Sequence, residues 1–188
     1  LASSMESVRQ FLTYAETLKH LKRTGWTRYA IPEVETVSGH MYRMALSVFL
    51  LPPEVDHFRV MKMALVHDLG ESLVGDITPL DPVSAEDKHA LELSAMQKIT
   101  SALPAWSSAE VLELWQEYEE NQTPTAIIVK DLDKYDMILQ ALEYERKHKV
   151  DLSCFFESTR GVFRSEYVKP WADDIYTQRE LDQQTRLN

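Results

Sequence analysis

The sequence contains few residues that stabilise or interrupt structures other than helices. Cys154 is its only cysteine, so no disulfide forms within the chain, and we expect a reducing compartment such as the cytoplasm. Only five glycines occur in 188 residues, and strand-like alternation is rare, which favours helices. The longest apolar run, 44–51, ends at Pro52, far short of the roughly 20 residues of a membrane span.

Positive charge is also scarce. The chain has 20 lysines and arginines against 30 aspartates and glutamates, which gives a net charge of -10. Such a charge repels a polyphosphate backbone, and no basic stripe offsets it, so we do not expect a nucleic-acid polymer as a partner. A small anionic substrate is still compatible, because a local cation can reverse the field within one pocket.

The length and composition indicate one globular domain. A chain of 188 residues suits a single hydrophobic core, and 44% hydrophobic and 27% charged residues are typical of globular domains. We predict one all-α helical bundle over residues 1–188. We expect residues 1–4 to be a cloning remnant, no signal peptide, and fraying of the polar run 178–188.

Apolar periodicity and capping signals predict the helices. We expect Ser84 to cap one helix, Ser107 with Glu110 to form a capping box for the next, and Thr123 or Thr125 to start the longest. Closing helices are expected after residue 152. The predicted helices before them cover about 5–21, 35–50, 61–74, 84–103, 107–120 and 126–148.

The stretch 61–76 places charged groups at the end of an apolar helix. On a continuous helix His67 and Glu71 share a face, and Asp68 lies one step around. Because burying such groups without partners is costly, the cluster requires a cation, a hydrogen-bond network or both. We therefore predict a metal ion here, and we expect the loop that contains Asp76 to lie over the helix end.

Two further candidates each allow a structural interpretation. His40 lies beside the apolar stripe of its helix, so it is either a hydrogen-bonded core residue or a ligand that faces His67 across the bundle. Trp26 follows the turn at Gly25 and stands close to the basic Arg23. A tryptophan at such a helix stop commonly packs over the core.

The acidic residues of the later helices are ambiguous from the pattern alone. The group within 117–120 is most simply a solvent-exposed face. Asp131, Asp133 and Asp136 cannot all point at one site, because they lie at different angles around one helix. Two inward stripes are compatible with this helix, so periodicity does not select among the three aspartates.

The combination of ligand types indicates the chemistry. Two imidazoles with two or more carboxylates form a mixed nitrogen and oxygen set, which suits Mn, Fe, Co, Ni or Zn better than Mg. Such an ion lowers the pKa of a bound water and neutralises charge on a phosphoryl group. Glu71, one turn past His67, is placed to take a proton from that water, and Asp76 to orient it.

Taken together, these residues resemble the HD-domain metal-dependent phosphohydrolases, and in particular the HD-domain 5′-deoxynucleotidases. The family pattern is a histidine, then a His-Asp pair, then a distant aspartate, all carried on helices. The resemblance extends from Arg23 to about Tyr144. It is carried by residues 23–26, 35–45, 67–76, 115–119 and 129–134.

The resemblance implies the fold, the reaction and the metal ligands. It implies a helical bundle that hydrolyses deoxyribonucleoside monophosphates to nucleoside and phosphate, with a metal-bound water as nucleophile. By the same likeness His40, His67, Asp68 and Asp133 are the ligands. Asp133 is selected among the late aspartates because the family's ligand stands three positions after the lysine of a Val-Lys pair.

The resemblance also assigns the catalytic groups and the number of ions. Glu71 activates water and Asp76 assists near the phosphate. HD proteins with two metals carry additional histidines between the His-Asp pair and the last aspartate, and here only His89 falls there, so one ion is expected. Family members tend to be homodimers, and the apolar residues of 152–188 are the expected interface.

The substrate contacts follow from the same comparison. Trp26 is expected against the sugar, where a large ring excludes a 2′-hydroxyl, and Glu119 is expected to line the nucleoside end. Arg23 and Lys130 are the candidate phosphate cations. Bacterial relatives place a basic residue directly before the tryptophan, whereas this chain has Gly25 in that position.

Two other functions fit the same residues. One is a different HD-type activity, a nucleotide pyrophosphohydrolase or a phosphodiesterase. The other is a non-catalytic, metal-stabilised bundle that binds nucleotides. The presence of Glu71 and Asp76 favours catalysis, because neither is needed merely to hold an ion.

Overall fold

The computed structural model describes residues 5–187, so the expected cloning remnant at 1–4 lies outside the described residues. Ten α-helices occur in this range, and a 3₁₀ turn covers Val48–Leu50. Between residues 5 and 187 the β-type pairing is one isolated bridge, from Lys22 to Thr36. The all-α prediction is confirmed. The helices are Met5–Leu18 (α1), Thr24–Thr27 (α2), Val37–Ser47 (α3), His57–Ala64 (α4), Glu71–Val74 (α5), Ala85–Thr100 (α6), Ala105–Glu120 (α7), Pro124–His148 (α8), Ser153–Thr159 (α9) and Lys169–Leu187 (α10).

Side-chain caps fix the starts of the helices that carry the site. The Thr36 hydroxyl accepts from the backbone N–H of Gly39 at the start of α3, and Ser84 accepts from Asp87 at the start of α6. Thr123 caps α8, with a proline at the first helical position. The predictions for Ser84 and Thr123 are thus confirmed.

Other predicted boundaries were wrong by a few residues. α1 ends at Leu18 and not near residue 21. α7 begins at Ala105, before the predicted capping box, and the Ser107 hydroxyl donates to the Pro104 carbonyl instead of capping a helix. α10 continues through the polar run to Leu187, so the described part of the run that we expected to fray is helical.

A more important difference concerns the stretch between α4 and α5. The predicted continuous helix stops at Ala64, and residues 65–70 form turns. The Nδ1 atom of His67 lies 2.9 Å from the Ala64 carbonyl oxygen. In a continuous helix that oxygen would accept from the N–H of Asp68, so the imidazole replaces a helical hydrogen bond. His67, Asp68 and Glu71 therefore converge through a tight turn and not along one helix face.

The longest helix, α8, packs against α3, α4, α7, α9 and α10. Two core clusters result. The larger core cluster includes Met44 of α3 and Val48 of the 3₁₀ turn, and the smaller core cluster includes Val37 and Met41 of α3. His40 is fully buried on the same helix, between Val37 and Met41 of the smaller core cluster and one turn before Met44 of the larger one.

None of the helices within residues 5–187 combines the length and the apolar composition that crossing a bilayer requires.

Candidate metal centre and active site

Three separate parts of the chain bring the four predicted ligands together. His40 comes from α3, His67 and Asp68 from the turn after α4, and Asp133 from α8. The Nε2 atom of His40 lies 3.2 Å from Asp133 Oδ1 and 3.8 Å from Asp68 Oδ2, and His67 Nε2 lies 3.1 Å from Asp68 Oδ2. Donor atoms of His40, His67 and Asp133 all lie within 4.8 Å of one another, close enough to share one ion.

Both imidazoles are oriented for metal binding. Nδ1 of His67 donates to the Ala64 carbonyl, which can only accept, and Nδ1 of His40 lies 2.6 Å from Asp136 Oδ2. In the neutral form of each ring, which is the form that binds a metal, Nε2 then carries the lone pair and lies beside the carboxylates. Both Nε2 atoms are buried and have no hydrogen-bond partner. Buried nitrogen atoms without hydrogen-bond partners, placed beside carboxylates, fit a site that a cation occupies.

The carboxylates stay ionised in this pocket. Burial raises the pKa of Asp68, but His67 and Arg23 lower it to about 2. Burial also raises the pKa of Asp133, but the close approach of His40 holds it well below its usual value. Burial lowers the pKa of His40, yet the neighbouring carboxylates raise it to about 9. The pocket therefore favours positive charge.

The structure gives the three late aspartates different roles. Asp133 faces Nε2 of His40, whereas Asp136 bonds to Nδ1 on the other side of the same ring. Asp131 turns away, and its Oδ2 accepts from the backbone N–H groups of Arg164 at 2.7 Å and Ser165 at 2.6 Å. It thereby ties the segment before α10 to α8. All three are buried or partly buried, which is why periodicity alone did not separate them.

Glu71 and Asp76 lie beside the ligands. Glu71 is 5% exposed, and its Oε2 atom is buried without a hydrogen-bond partner. Burial raises its pKa well above the usual value, and the charges of Asp68 and Asp76 add to this shift. Asp76 Oδ2 accepts from the backbone N–H of Thr24 at 2.6 Å, which fixes its position. Glu71 thus combines a free, buried oxygen with an increased proton affinity.

Arg23 supplies positive charge next to the ligands. It directly precedes α2, and its Nη1 lies 3.3 Å from Asp68 Oδ2 while its Nη2 lies 3.8 Å from Asp133 Oδ1. Burial lowers the pKa of Arg23, but these two carboxylates outweigh burial and raise it. The guanidinium is therefore permanently charged and lies beside two of the predicted ligands.

Trp26 does not lie where a sugar could contact it. Its ring is 1% exposed, and its indole N–H donates to Glu35 Oε1 at 2.8 Å. The ring centroid is 4.2 Å from that of Phe155 and 5.5 Å from that of Tyr144. The expected sugar contact is thus not available in this structure, because the ring is fully used in the larger core cluster. The core interpretation of Trp26 describes it correctly.

Glu119 and Lys130 are linked to the predicted ligand Asp133 by contacts with Tyr118. The Tyr118 hydroxyl donates to Asp133 Oδ2 at 2.9 Å, and Lys130 Nζ lies 3.6 Å above the tyrosine ring centroid. Lys130 Nζ is 3.3 Å from Glu119 Oε1, and His89 Nδ1 is 3.2 Å from Glu119 Oε2. Glu119 is therefore a paired residue and not part of a solvent-exposed face.

Lys88 is a cation near the site that we did not predict. Its Nζ donates to the Ile77 carbonyl at 2.9 Å and lies 3.6 Å from Glu92 Oε1. Burial lowers its pKa, but Glu92 and Glu71 outweigh burial and raise it. The sequence gives no sign that this lysine lies near the site, because it stands in the first turns of α6 among mostly exposed residues. Its relation to the site arises only when the loop after α5 folds back onto α6.

We predict that Asp136→Asn weakens metal binding about 10- to 100-fold, because the carboxylate orients His40 and strengthens it as a ligand. Titration calorimetry with Mn²⁺ measures the change. Asp131→Asn is the matched control, since it alters a buried aspartate of α8 that does not contact the histidine. Equal losses of Mn²⁺ affinity in the two variants would show that the effect is general to α8.

Comparisons with known proteins agree with this geometry. The HD domain family matches residues 15–171. A 5′-deoxynucleotidase HDDC2 of Dictyostelium discoideum is 43% identical over an alignment that covers 94% of this chain and 100% of that protein. The human 5′-deoxynucleotidase HDDC2 is 40% identical over 179 residues, which cover 94% of this chain and 88% of that protein.

Solved structures give the same result for the fold. The crystal structure of the PH0347 protein from Pyrococcus horikoshii has a TM-score of 0.74 and 31% sequence identity to this chain. The match covers 89% of this chain and 96% of that one. With its helical architecture, its converging histidines and aspartates, and a family match over most of its length, the chain belongs to the HD-domain family.

Proposed function

We propose that this protein is a metal-dependent 5′-deoxynucleotidase, which hydrolyses deoxyribonucleoside monophosphates to nucleoside and phosphate. Relatives that match nearly the whole chain carry that name. The observation that carries the proposal is a group of buried polar atoms without hydrogen-bond partners near Asp133, namely Nε2 of His40 and His67 and Oε2 of Glu71. Such a group suits a cation and a proton acceptor better than it suits a structural core.

In this proposal His40, His67, Asp68 and Asp133 hold one divalent ion. The two imidazoles and two carboxylates favour Mn, Co, Fe, Ni or Zn over Mg. When bound, such an ion lowers the pKa of water and neutralises the charge that develops on a phosphoryl group. His89, the histidine between the His-Asp pair and Asp133, bonds to a carboxylate outside this set, which favours a single ion.

Glu71 is the proposed general base. Its free Oε2 atom lies in a buried position and accepts a proton from water once neighbouring positive charge keeps the carboxylate ionised. Asp76, fixed by the N–H of Thr24, helps to orient the same water near the phosphate. Burial, together with the charges of Asp68 and Asp76, raises the pKa of Glu71 well above its usual value, so this carboxylate binds a proton more strongly than an exposed glutamate does.

Cationic side chains offset the negative charge of a nucleotide phosphate. Arg23, in contact with Asp68 and Asp133, is the proposed phosphate contact. Lys88 adds positive charge on the side of the loop after α5, and Lys130 adds it beyond Tyr118. These three residues create a local attraction for an anion in a protein whose net charge is -10.

The homodimer that the resemblance implies is also part of the proposal.

A phosphate-release screen tests the function. All ribo- and deoxyribonucleoside 5′-monophosphates are incubated with the purified protein and Mn²⁺, Co²⁺ or Mg²⁺. We expect phosphate release from the deoxyribonucleotides, faster with Mn²⁺ or Co²⁺ than with Mg²⁺.

Nucleoside triphosphates and cyclic nucleotides serve as controls in the same screen. Cleavage of these compounds, with the monophosphates left intact, would instead indicate a pyrophosphohydrolase or a phosphodiesterase. Loss of the fold on chelation, with no nucleotide cleaved, would indicate a structural ion.

A further inference from the structure

A cavity of about 230 Å³ lies between α6 and α7, next to the candidate active site. It is open to solvent, and it combines two rings with side chains that accept or donate hydrogen bonds. Small-molecule sites commonly pair an apolar or aromatic wall with a few polar groups in this way. The cavity is lined by His89, Leu93, Trp115, Gln116, Glu119 and Glu120.

The aromatic wall is a fixed stack. The rings of His89 and Trp115 lie with centroids 5.5 Å apart and planes 20° from parallel. Trp115 is 1% exposed, whereas the His89 side chain is 51% exposed, so the imidazole covers the indole and leaves its own outer face open. The bond between His89 Nδ1 and Glu119 holds the imidazole in this orientation. A flat ring held with one face open is a platform for stacking another ring.

The polar groups of the cavity favour a ligand with hydrogen-bond donors. The carboxylates of Glu119 and Glu120 only accept hydrogen bonds, and the Gln116 amide both donates and accepts. Adenine, cytosine and guanine carry exocyclic amino groups that donate to such oxygens, whereas thymine has no amino group and offers only its ring N3–H. The cavity therefore suits a nucleobase with an amino group.

The cavity is also connected to the metal ligands. Glu119 pairs with Lys130, Lys130 lies over the ring of Tyr118, and the Tyr118 hydroxyl donates to Asp133. One tyrosine ring and one ion pair thus separate the cavity from the ligand Asp133. Since these side chains fill the space between the two places, a nucleotide with its phosphate at the ligands would have to cross over the Tyr118 ring and the Lys130–Glu119 pair to place its base in the cavity.

We propose that the cavity between α6 and α7 is a nucleobase subsite, in which the base stacks on the outer face of His89 and its amino group donates to Glu119 or Glu120. This inference rests on the proposed nucleotidase function and adds the recognition of the base. His89 is then a specificity residue, although it lies outside the ligand set.

The test compares His89→Ala with the wild-type protein loaded with Mn²⁺. Base stacking on a ring contributes enough that its loss lowers kcat/KM for dAMP about 5- to 150-fold. Two inhibitors report separately on the binding of the nucleoside end and of the phosphate end of the substrate. We expect the inhibition constant of deoxyadenosine to rise by a similar factor and that of inorganic phosphate to stay unchanged, because only the base end is altered.

Two further variants complete the experiment. His89→Phe keeps a flat ring and should restore most of the dAMP activity and the deoxyadenosine inhibition. His20→Ala removes another helical histidine that pairs with a glutamate, at the exposed Glu16, and should change neither quantity. The wild type should also prefer dAMP and dCMP to dTMP.

Several results would overturn the subsite. These are an unchanged deoxyadenosine inhibition in His89→Ala, equal weakening of deoxyadenosine and phosphate, or a wild type that deoxyadenosine does not inhibit. In each case hydrolysis of dAMP by the wild type would leave the nucleotidase proposal standing. A wild type that hydrolyses no monophosphate would overturn both.

Discussion

Glu71→Gln is expected to lower kcat for a deoxyribonucleoside monophosphate by about 10²- to 10⁴-fold, which is the usual contribution of a general base. Glutamine keeps the size of the side chain but cannot accept the proton from water. The buried Oε2 atom without a partner is the group that the substitution removes. Steady-state phosphate release, together with Mn²⁺ titration of the same sample, measures the effect.

The metal titration gives this prediction its specificity. Mn²⁺ affinity should change little, because Glu71 is not among the proposed ligands. Glu117→Gln is the matched control, since Glu117 is a partly buried glutamate that binds Arg59 and not the cluster. Near-normal turnover in Glu71→Gln with the ion still bound would remove this residue from the mechanism.

Asp133→Asn is expected to weaken Mn²⁺ binding more than about 100-fold, beyond the range seen for residues that only support a ligand. The neutral amide binds a cation poorly, while its oxygen can still accept from the Tyr118 hydroxyl, so the local packing is preserved. Nucleotidase activity should fall with the loss of the ion. Calorimetry and phosphate release at a fixed Mn²⁺ concentration check both effects.

Thermal unfolding supplies a readout that does not depend on activity. A ligand present at 100 times its Kd stabilises the folded state by about 2.7 kcal/mol, so Mn²⁺ should raise the Tm of the wild type. Asp133→Asn should lose that increase, whereas Asp131→Asn should keep it, because Asp131 binds backbone N–H groups on another face of α8. A normal Mn²⁺ response in Asp133→Asn would contradict the proposed ligand set.

Much of the site could be predicted because its residue types are unusual in their positions. Histidine and aspartate at the end of an apolar stretch required a compensating partner, which indicated where His67, Asp68 and Glu71 would converge. The route by which they converge was not predictable. The helix break at Ala64 depends on one imidazole bonding to one carbonyl, and helical periodicity does not register such a bond.

Contacts between elements that are distant in the sequence account for the other site features that the sequence did not predict. The choice of Asp133 over Asp131 came from the family resemblance, because both aspartates bind partners that lie far away in the sequence. Lys88 and Tyr118 gain their positions only when α6 and α7 pack near the ligands. Trp26 was misplaced by the resemblance and correctly described by the general tendency of tryptophan to pack in the core.

The hydrogen bond between His40 and Asp136 has a consequence for how the ion enters. Asp136 is itself held by Arg43, which lies on the same helix as the histidine, so α3 and α8 lock the imidazole from two directions. Folding therefore preorganises this ligand before any ion arrives, and binding loses little side-chain entropy at this position. The rate of metal binding should then depend on how easily the hydrated cation reaches the site, and not on rearrangement of the chain.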